Sequence, residues 1–118
     1  MNWISEQFRR AINQTAETGA EWCVTLESKR DPDCYIQFTS EHVNLAYPCT
    51  DDPQQILDAL PSFPDRNVAG WEANSYLTLE HGIENAISPM GDFVEKYIVK
   101  VLQQTADQTD WTITEQCL

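Results

Sequence analysis

Apolar residues near the start of the chain recur every three or four positions, which is the spacing of one face of an α-helix. The stripe comprises Ile4, Phe8, Ala11, Ile12 and Thr15. Ser5 is a residue type that caps helix N-termini, and Gly19 is of the type that ends helices in a left-handed conformation. The pattern therefore predicts an N-terminal helix that begins near Ser5 and ends at Gly19.

Between Glu21 and Tyr47 the apolar period changes to two, which is typical of β-strands. Three alternating runs follow one another, separated by the turn KRDPD and by Ser40–Glu41. Their inward positions are Trp22, Val24 and Leu26, then Cys34, Ile36 and Phe38, then Val43, Leu45 and Tyr47. Because the links between the runs are short, the sequence predicts an antiparallel three-strand meander.

A short middle helix is expected after the meander. Asp51 and Asp52 precede Pro53, an arrangement that favours the opening of a helix. The apolar side of this helix comprises Ile56, Leu57 and Leu60. The segment PSFPDRNVAG follows, and its prolines and glycine predict a loop.

Alternation returns from Trp71 to Glu80 and predicts a single fourth strand. One face of this strand would carry Trp71, Ala73, Ser75, Leu77 and Leu79. The other face, which is polar apart from one tyrosine, would carry Glu72, Asn74, Tyr76, Thr78 and Glu80.

The clearest amphipathic helix in the chain lies near its end. Its apolar residues are Phe93, Val94, Tyr97, Ile98, Val101 and Leu102. Ser88 and Pro89 are suited to its cap and first turn. The order of elements predicts one α+β domain over residues 1–118, in which an antiparallel sheet (the meander plus at least one further strand) carries helices on one face. Whether the tail after Asp110, which contains the alternating segment WTIT, forms a strand stays open.

Charge is the strongest compositional feature of the chain. Nineteen acids against seven bases give a formal net charge of −12. Twelve of the acids lie between Asp31 and Glu95, where Arg66 is the only base. Such a field repels nucleic acid and anionic membranes and attracts basic proteins, so we expect a basic protein partner. Solubility alone is the alternative explanation.

The sequence carries no sign of a membrane span, a cleaved leader or a cofactor site. No apolar run approaches the roughly 20 residues of a membrane span, and the segment MNWISEQFRR lacks the apolar core of a signal peptide. We therefore expect a cytoplasmic protein with four reduced cysteines. Because CxxC and HExxH spacings are also missing, we expect neither a metal nor another cofactor.

Cys49 is the residue that comes nearest to a candidate catalytic nucleophile. His42 precedes it by seven residues, most of a strand away, and His81 belongs to another segment. Asp51 and Asp52 would raise the pKa of the thiol and so weaken it as a nucleophile. Without a nucleophile, base and orienting group in one place, we expect a non-enzymatic protein, with a cysteine-dependent enzyme as the least supported alternative.

Side chains on the expected outward strand faces are candidates for contact with a partner protein. Tyr35 and Gln37 on the second strand would share a sheet face with Asn74 and Tyr76 on the fourth. Aromatic residues among acids are common anchors of protein interfaces. The complete set of candidate partner-binding residues is Tyr35, Gln37, Asp51, Asp52, Trp71, Glu72, Asn74, Tyr76 and Glu80. A sheet face that is merely solvated is the alternative.

The order of the predicted elements and several short sequence segments resemble those of a known family. The segments YIQF, VNLAYP, GW–x₂–N–x–Y and DFVEKYIVKV are similar to segments of proteins with the type III secretion chaperone-like fold, including its small TY-Chap relatives. The resemblance extends from about Trp3 to Leu102. It implies a small, acidic, cytoplasmic, non-enzymatic protein that masks or carries a partner, commonly as a homodimer. An immunity protein that neutralises a secreted basic toxin would need a similar surface, and the sequence does not separate these two roles.

Overall fold

The structure, a computed structural model, describes residues 2–60, 67–80 and 87–118. The elements in chain order are α1 (Trp3–Thr18), β1 (Trp22–Ser28), β2 (Tyr35–Phe38), β3 (His42–Tyr47), α2 (Gln54–Ala59), β4 (Asn67–Glu72), β5 (Ser75–Glu80), α3 (Ile87–Lys100), a short 3₁₀ helix (Gln108–Asp110) and β6 (Trp111–Cys117). The predicted α+β architecture is confirmed. None of the described helices is long and apolar enough to cross a membrane.

The described strands form one six-stranded antiparallel sheet in the order β4-β5-β3-β2-β1-β6. The meander of β1, β2 and β3 is confirmed. The tail, left open above, does form a strand: β6 pairs with β1 from Trp22 opposite Cys117 to Ser28 opposite Trp111. The last strand of the chain therefore lies at one edge of the sheet, beside the first.

The prediction of a single strand from Trp71 to Glu80 is wrong, because a tight turn divides this segment into β4 and β5. Ala73 and Asn74 form the turn, and Asn74 has a φ of 57°, which asparagine tolerates better than most residues. A two-residue turn preserves the phase of alternation, so the pattern continues across it. The strand β4 already begins at Asn67, so the end of the expected loop PSFPDRNVAG is also strand. Residues 61–66 of that loop lie outside the described part of the chain.

One face of the sheet, the inner face, packs against the helices. The fully buried inner residues include Val24, Leu26, Ile36, Phe38, Val43, Leu45, Leu77 and Leu79. The helices contribute Ile4, Phe8 and Ala11 from α1, Leu57 from α2, and Phe93, Val94, Tyr97 and Ile98 from α3. The apolar residues of the strands and those of the helices therefore pack together in one core, as their periods in the sequence predict.

The ends of the long helices differ slightly from the sequence expectation. Asn2, not Ser5, caps α1: the Asn2 Oδ1 accepts hydrogen bonds from the backbone N–H of Ser5 at 2.9 Å and from its hydroxyl at 3.1 Å. Gly19 ends α1 as predicted, with a φ of 74°. The helix α3 begins at Ile87, so Ser88 lies inside its first turn and does not precede it.

The helices α1 and α3 approach most closely where Gly91 faces Ser5. A Cβ atom built on Gly91 would lie 1.8 Å from the Ser5 Oγ and 2.6 Å from the Asn2 Oδ1. Ser5 itself is fully buried. Only a glycine at position 91 leaves room for this contact.

We predict that Gly91→Ala destabilises the protein even though alanine is the better helix former by about 1 kcal/mol. The clash with Ser5 should lower the free energy of unfolding, measured in urea, by about 1–3 kcal/mol. Gly70→Ala is the control, because its Cβ would meet the Tyr76 hydroxyl oxygen at 3.7 Å and the Tyr76 ring at 3.8 Å, both ordinary contacts. The control should stay within about 0.5 kcal/mol of the parent. A Gly91→Ala protein as stable as the parent would contradict the close helix contact.

Candidate protein-binding face of the sheet

The face of the sheet opposite α1 and α3, here called the outer face, is the candidate functional site. Its central residues are Thr25, Glu27, Tyr35, Gln37, Asn44, Ala46, Gly70, Glu72, Tyr76, Thr78 and Glu80. All of these except Ala46 are exposed or half-buried. In contrast to the inner face, the outer face is mainly polar and open to solvent, as is common for antiparallel sheets.

A row of hydrogen-bonded polar side chains, the polar ladder, crosses the middle of the outer face. The register places Thr25, Gln37, Asn44 and Thr78 opposite one another on β1, β2, β3 and β5. The Thr78 hydroxyl donates to the Asn44 Oδ1 at 2.9 Å, and the Asn44 amide donates to the Gln37 Oε1 at 3.1 Å. The Gln37 amide then donates to the Thr25 hydroxyl at 3.4 Å. These bonds fix the orientation of both amides, so these side chains are ordered before any partner arrives.

Two half-buried tyrosines lie beside the polar ladder. Tyr76 is opposite Ala46, and continuation of the β2–β3 register places Tyr35 on the other side of the same alanine. Ala46 is only 5% exposed between them. The ring of Tyr76 also lies beside Gly70 of the edge strand β4. Tyrosines that offer a ring together with a hydroxyl are among the residues that contribute most to protein interfaces.

The outer face is acidic, whereas the two long helices are neutral. Glu27, Glu72 and Glu80 are exposed there, and none of the six strands contains Lys or Arg. The helices α1 and α3 carry the acids Glu6, Glu17, Asp92 and Glu95 and the bases Arg9, Arg10, Lys96 and Lys100. Acids and bases thus balance on the two long helices, and the uncompensated charge lies on the outer face, on Asp58 of α2, on Glu115 of β6 and in the connections. One side of the described molecule therefore attracts cations more strongly than the other.

The structure brings five of the nine candidate partner-binding residues together. Tyr35, Gln37, Glu72, Tyr76 and Glu80 all lie on the outer face. The Glu80 Oε2 also lies 3.9 Å from the Nε2 of His42, the residue opposite it on β3.

The other four candidates lie elsewhere. Trp71 pairs with Leu77 and so shares the inner side of the sheet, where its ring meets Tyr47 edge-on at 6.0 Å between centroids. Asn74 occupies the β4–β5 turn, and its N–H donates to the Cys49 carbonyl at 2.9 Å.

Asp51 and Asp52 belong to the connection between β3 and α2 and lie outside the sheet. The Asp52 Oδ1 accepts from the N–H of Gln54 at 2.9 Å, and the Asp51 carbonyl accepts from the Tyr47 hydroxyl. The expectation that these acids open a helix is met, but neither of them belongs to the outer face. The position of Asp51 and Asp52 in the sequence did not indicate that they lie outside the sheet.

A cleft of about 700 Å³ adjoins the outer face at the end of the sheet near Tyr35. Asp31 and Asp33 line it on one side, and Asn74 and Ser75 on the other. The sequence reasoning missed the two aspartates as site residues. Their position on either side of a proline, shortly before the outward Tyr35, is the signal that could have identified them.

Two of the four cysteines have a raised thiol pKa. All four are free. Burial raises the pKa of Cys34 to about 11, helped by the charge of Asp31, by a hydrogen bond to it and by the charge of Asp33. Burial and the charge of Asp51 likewise raise the pKa of Cys49. A raised pKa leaves little thiolate at neutral pH.

Metal ligands do not gather at the site either. Within residues 2–60, 67–80 and 87–118, no group of three or more His, Cys, Asp or Glu side chains is placed to hold a metal ion. His81, considered above as a base, lies outside these residues.

Comparison with known proteins identifies no relative: no protein-family model, no curated protein and no solved structure matches the chain. The similarity to type III secretion chaperones therefore stays a hypothesis, which rests on short sequence segments and on the order of the elements. Function has to be inferred from the outer face and its charge.

We predict that Asp31→Asn makes the Cys34 thiol titrate at lower pH, because both the negative charge and the carboxylate acceptor are removed. The rate of alkylation by iodoacetamide, followed by mass spectrometry as a function of pH, measures this pKa. In the parent the midpoint for Cys34 should lie at about 11. Asp58→Asn, an exposed change on α2, is the control and should leave the curve in place. A parent midpoint at the ordinary thiol value of about 8.5 would contradict the environment described for Cys34.

Proposed function

We propose that the protein binds and masks a basic protein partner through the outer face of its sheet, as a non-enzymatic, secretion-chaperone-like protein of the cytoplasm. The observation that carries this proposal is the separation of charge between the two sides. Glu27, Glu72 and Glu80 lie on the open side without a neighbouring Lys or Arg on any strand, whereas the two long helices are neutral. A uniform need for solubility gives no reason for such a separation.

Recognition by this face would combine a central anchor with a charged rim. Tyr35 and Tyr76 offer partly buried rings beside the polar ladder, and anchors that exclude water contribute most of the binding energy of an interface. The three glutamates lie around them and would pair with Lys or Arg of the partner. Exposed pairs of this kind add little affinity but raise the association rate and set the orientation of approach.

The order of the outer face favours a folded partner surface over a long unfolded segment. The polar ladder already satisfies the side-chain amides of Gln37 and Asn44 within the sheet. A pre-formed surface loses little freedom on binding a second rigid surface. Neutralisation of a folded basic toxin, as by an immunity protein, is therefore the second candidate function, and it uses the same residues.

The raised pKa values of Cys34 and Cys49 support the proposal that the protein is not a thiol enzyme. A cysteine nucleophile needs a lowered pKa or an adjacent base. The imidazole of His42 instead lies next to Glu80 on the neighbouring strand.

We predict that reversing charge on the outer face slows association with a basic protein far more than the same reversal on the helices. The test variant combines Glu27→Lys, Glu72→Lys and Glu80→Lys. The matched control changes Glu6, Glu17 and Asp92 to Lys, so both variants have the same net charge. All six parent residues are exposed.

Stopped-flow fluorescence with cytochrome c as the basic probe would give the association rates at low ionic strength. We expect a fall of at least about tenfold for the outer-face variant and a much smaller change for the helix variant. The difference should shrink as salt is added. Equal effects of the two variants would show that only net charge matters and would refute the assignment of the outer face.

A further inference from the structure

The cleft beside Tyr35 continues the outer face toward one end of the sheet. It forms where β2 and β5 begin and the strand between them, β3, ends. Tyr35 and Ala46 line the cleft and also belong to the outer face, whereas Tyr47 and Leu102 line it as buried residues of the core. Its volume of about 700 Å³ lies within the range of about 300–1,000 Å³ that is usual for clefts that bury a ligand. The cleft can therefore bury a side chain of a partner.

The charged residues that line the cleft are both acids, Asp31 and Asp33. Neither carboxylate forms an ion pair with a base in the described part of the chain. The two bases that directly precede them are held elsewhere. Arg30 lies 3.8 Å from Asp110 of the 3₁₀ helix, and the Lys29 ammonium donates at 2.9 Å to a backbone carbonyl of the same helix. The negative charge of this wall is thus left for a cation from outside.

The field of these carboxylates reaches the buried side of the cleft. Burial raises the pKa of Cys34, and the charges of Asp31 and Asp33 raise it further. Cys34 is itself a buried residue of the cleft lining. The Asp31 carboxylate is also fixed in position, since it accepts from the backbone N–H of Asp33 at 3.0 Å and from the Cys34 thiol at 3.6 Å. A cation in the cleft would meet charges that are already in place and less screened than on an open surface.

The uncharged lining residues favour a guanidinium over an ammonium. Tyr35 is half-buried beside the two acids, and tyrosine rings attract cations that lie over their faces. Asn74 and Ser75 supply an amide and a hydroxyl on the side of β5, and both groups can accept hydrogen bonds. A guanidinium is planar, is less strongly hydrated than an ammonium, and donates to a carboxylate through two N–H groups at once.

We propose that this cleft binds an arginine side chain of the basic partner, with the guanidinium held by Asp31 and Asp33 against the ring of Tyr35. The inference rests on the proposed function and adds specificity to it. The glutamates of the outer face attract any basic surface, whereas the cleft selects a partner that projects an arginine at this position. Arginine buried in a pocket is a common main contributor to the affinity of protein interfaces.

NMR titration of the isotope-labelled chain with the capped tripeptide Gly-Arg-Gly tests the inference. At about 0.15 M salt the longer-range field of the outer-face glutamates is largely screened. We expect saturable shifts of the backbone amide signals of Asp33, Tyr35 and Ser75. The same tripeptide with lysine should bind several-fold more weakly, because an ammonium lacks the planar, bidentate geometry. With citrulline, which is uncharged, the same signals should not saturate.

Asp33→Asn is the first variant, because Asp33 is exposed and its carboxylate has no hydrogen-bond partner in the described part of the chain. The variant should raise the dissociation constant of the arginine peptide on the order of fivefold. Asp92→Asn, the same change at an exposed residue of α3, is the matched control and should leave it unchanged. Tyr35→Leu should remove most of the preference for arginine over lysine. The amide spectrum without peptide shows whether each variant is folded, and Asp31→Asn would replace Asp33→Asn if it is not.

Absence of saturable binding by the arginine peptide would overturn the inference. So would equal binding of the arginine and lysine peptides, or equal effects of Asp33→Asn and Asp92→Asn. The association test of the outer face uses another probe, other residues and low salt, so the two proposals fail separately. If the peptide does not bind but charge reversal on the outer face still slows association, the cleft is excluded and the proposed function stands. If the peptide binds but charge reversal has no specific effect, the opposite holds.

Discussion

The contact between Ser5 and Gly91 is the constraint on which the rest of the structure depends. With no side chain at position 91, α1 and α3 come close enough to present their apolar stripes as one surface. Tyr97 then ties this helix layer to the sheet, since its buried hydroxyl donates to the Ala46 carbonyl at 2.7 Å. Because these apolar residues are buried on one side of the sheet, the other side is left to polar residues.

That division between the two sides leads directly to the proposed function. On the helix side, the charges of α1 and α3 cancel in number. On the outer face, the polar ladder replaces apolar packing as the source of order, and the acids that flank it on the described strands are glutamates. A surface that is ordered and has one sign of charge is suited to selective, electrostatically guided binding.

The sequence was sufficient to predict the helices and strands that have a clear apolar period. It did not predict features that depend on a tight turn or on contacts between distant segments. The apolar spacing of Phe93 to Ile98 and the alternation in the meander identified the core because burial follows those periods. The turn at Asn74 escaped notice because alternation continues across it in phase, and this error placed Asn74 on a strand face. The ladder through Gln37 and the cleft beside Asp31 depend on which strands become neighbours, a tertiary property that no local pattern shows.

Paramagnetic relaxation by a cationic nitroxide, relative to a neutral one, tests most directly whether the outer face holds the negative field. The side-chain amides of Gln37 and Asn44 sample that face, and those of Asn13 and Gln14 on α1 are matched probes of the helix layer. The charge separation predicts a clearly larger ratio of cationic to neutral relaxation enhancement at Gln37 and Asn44 in low salt. Equal ratios at all four amides would contradict it.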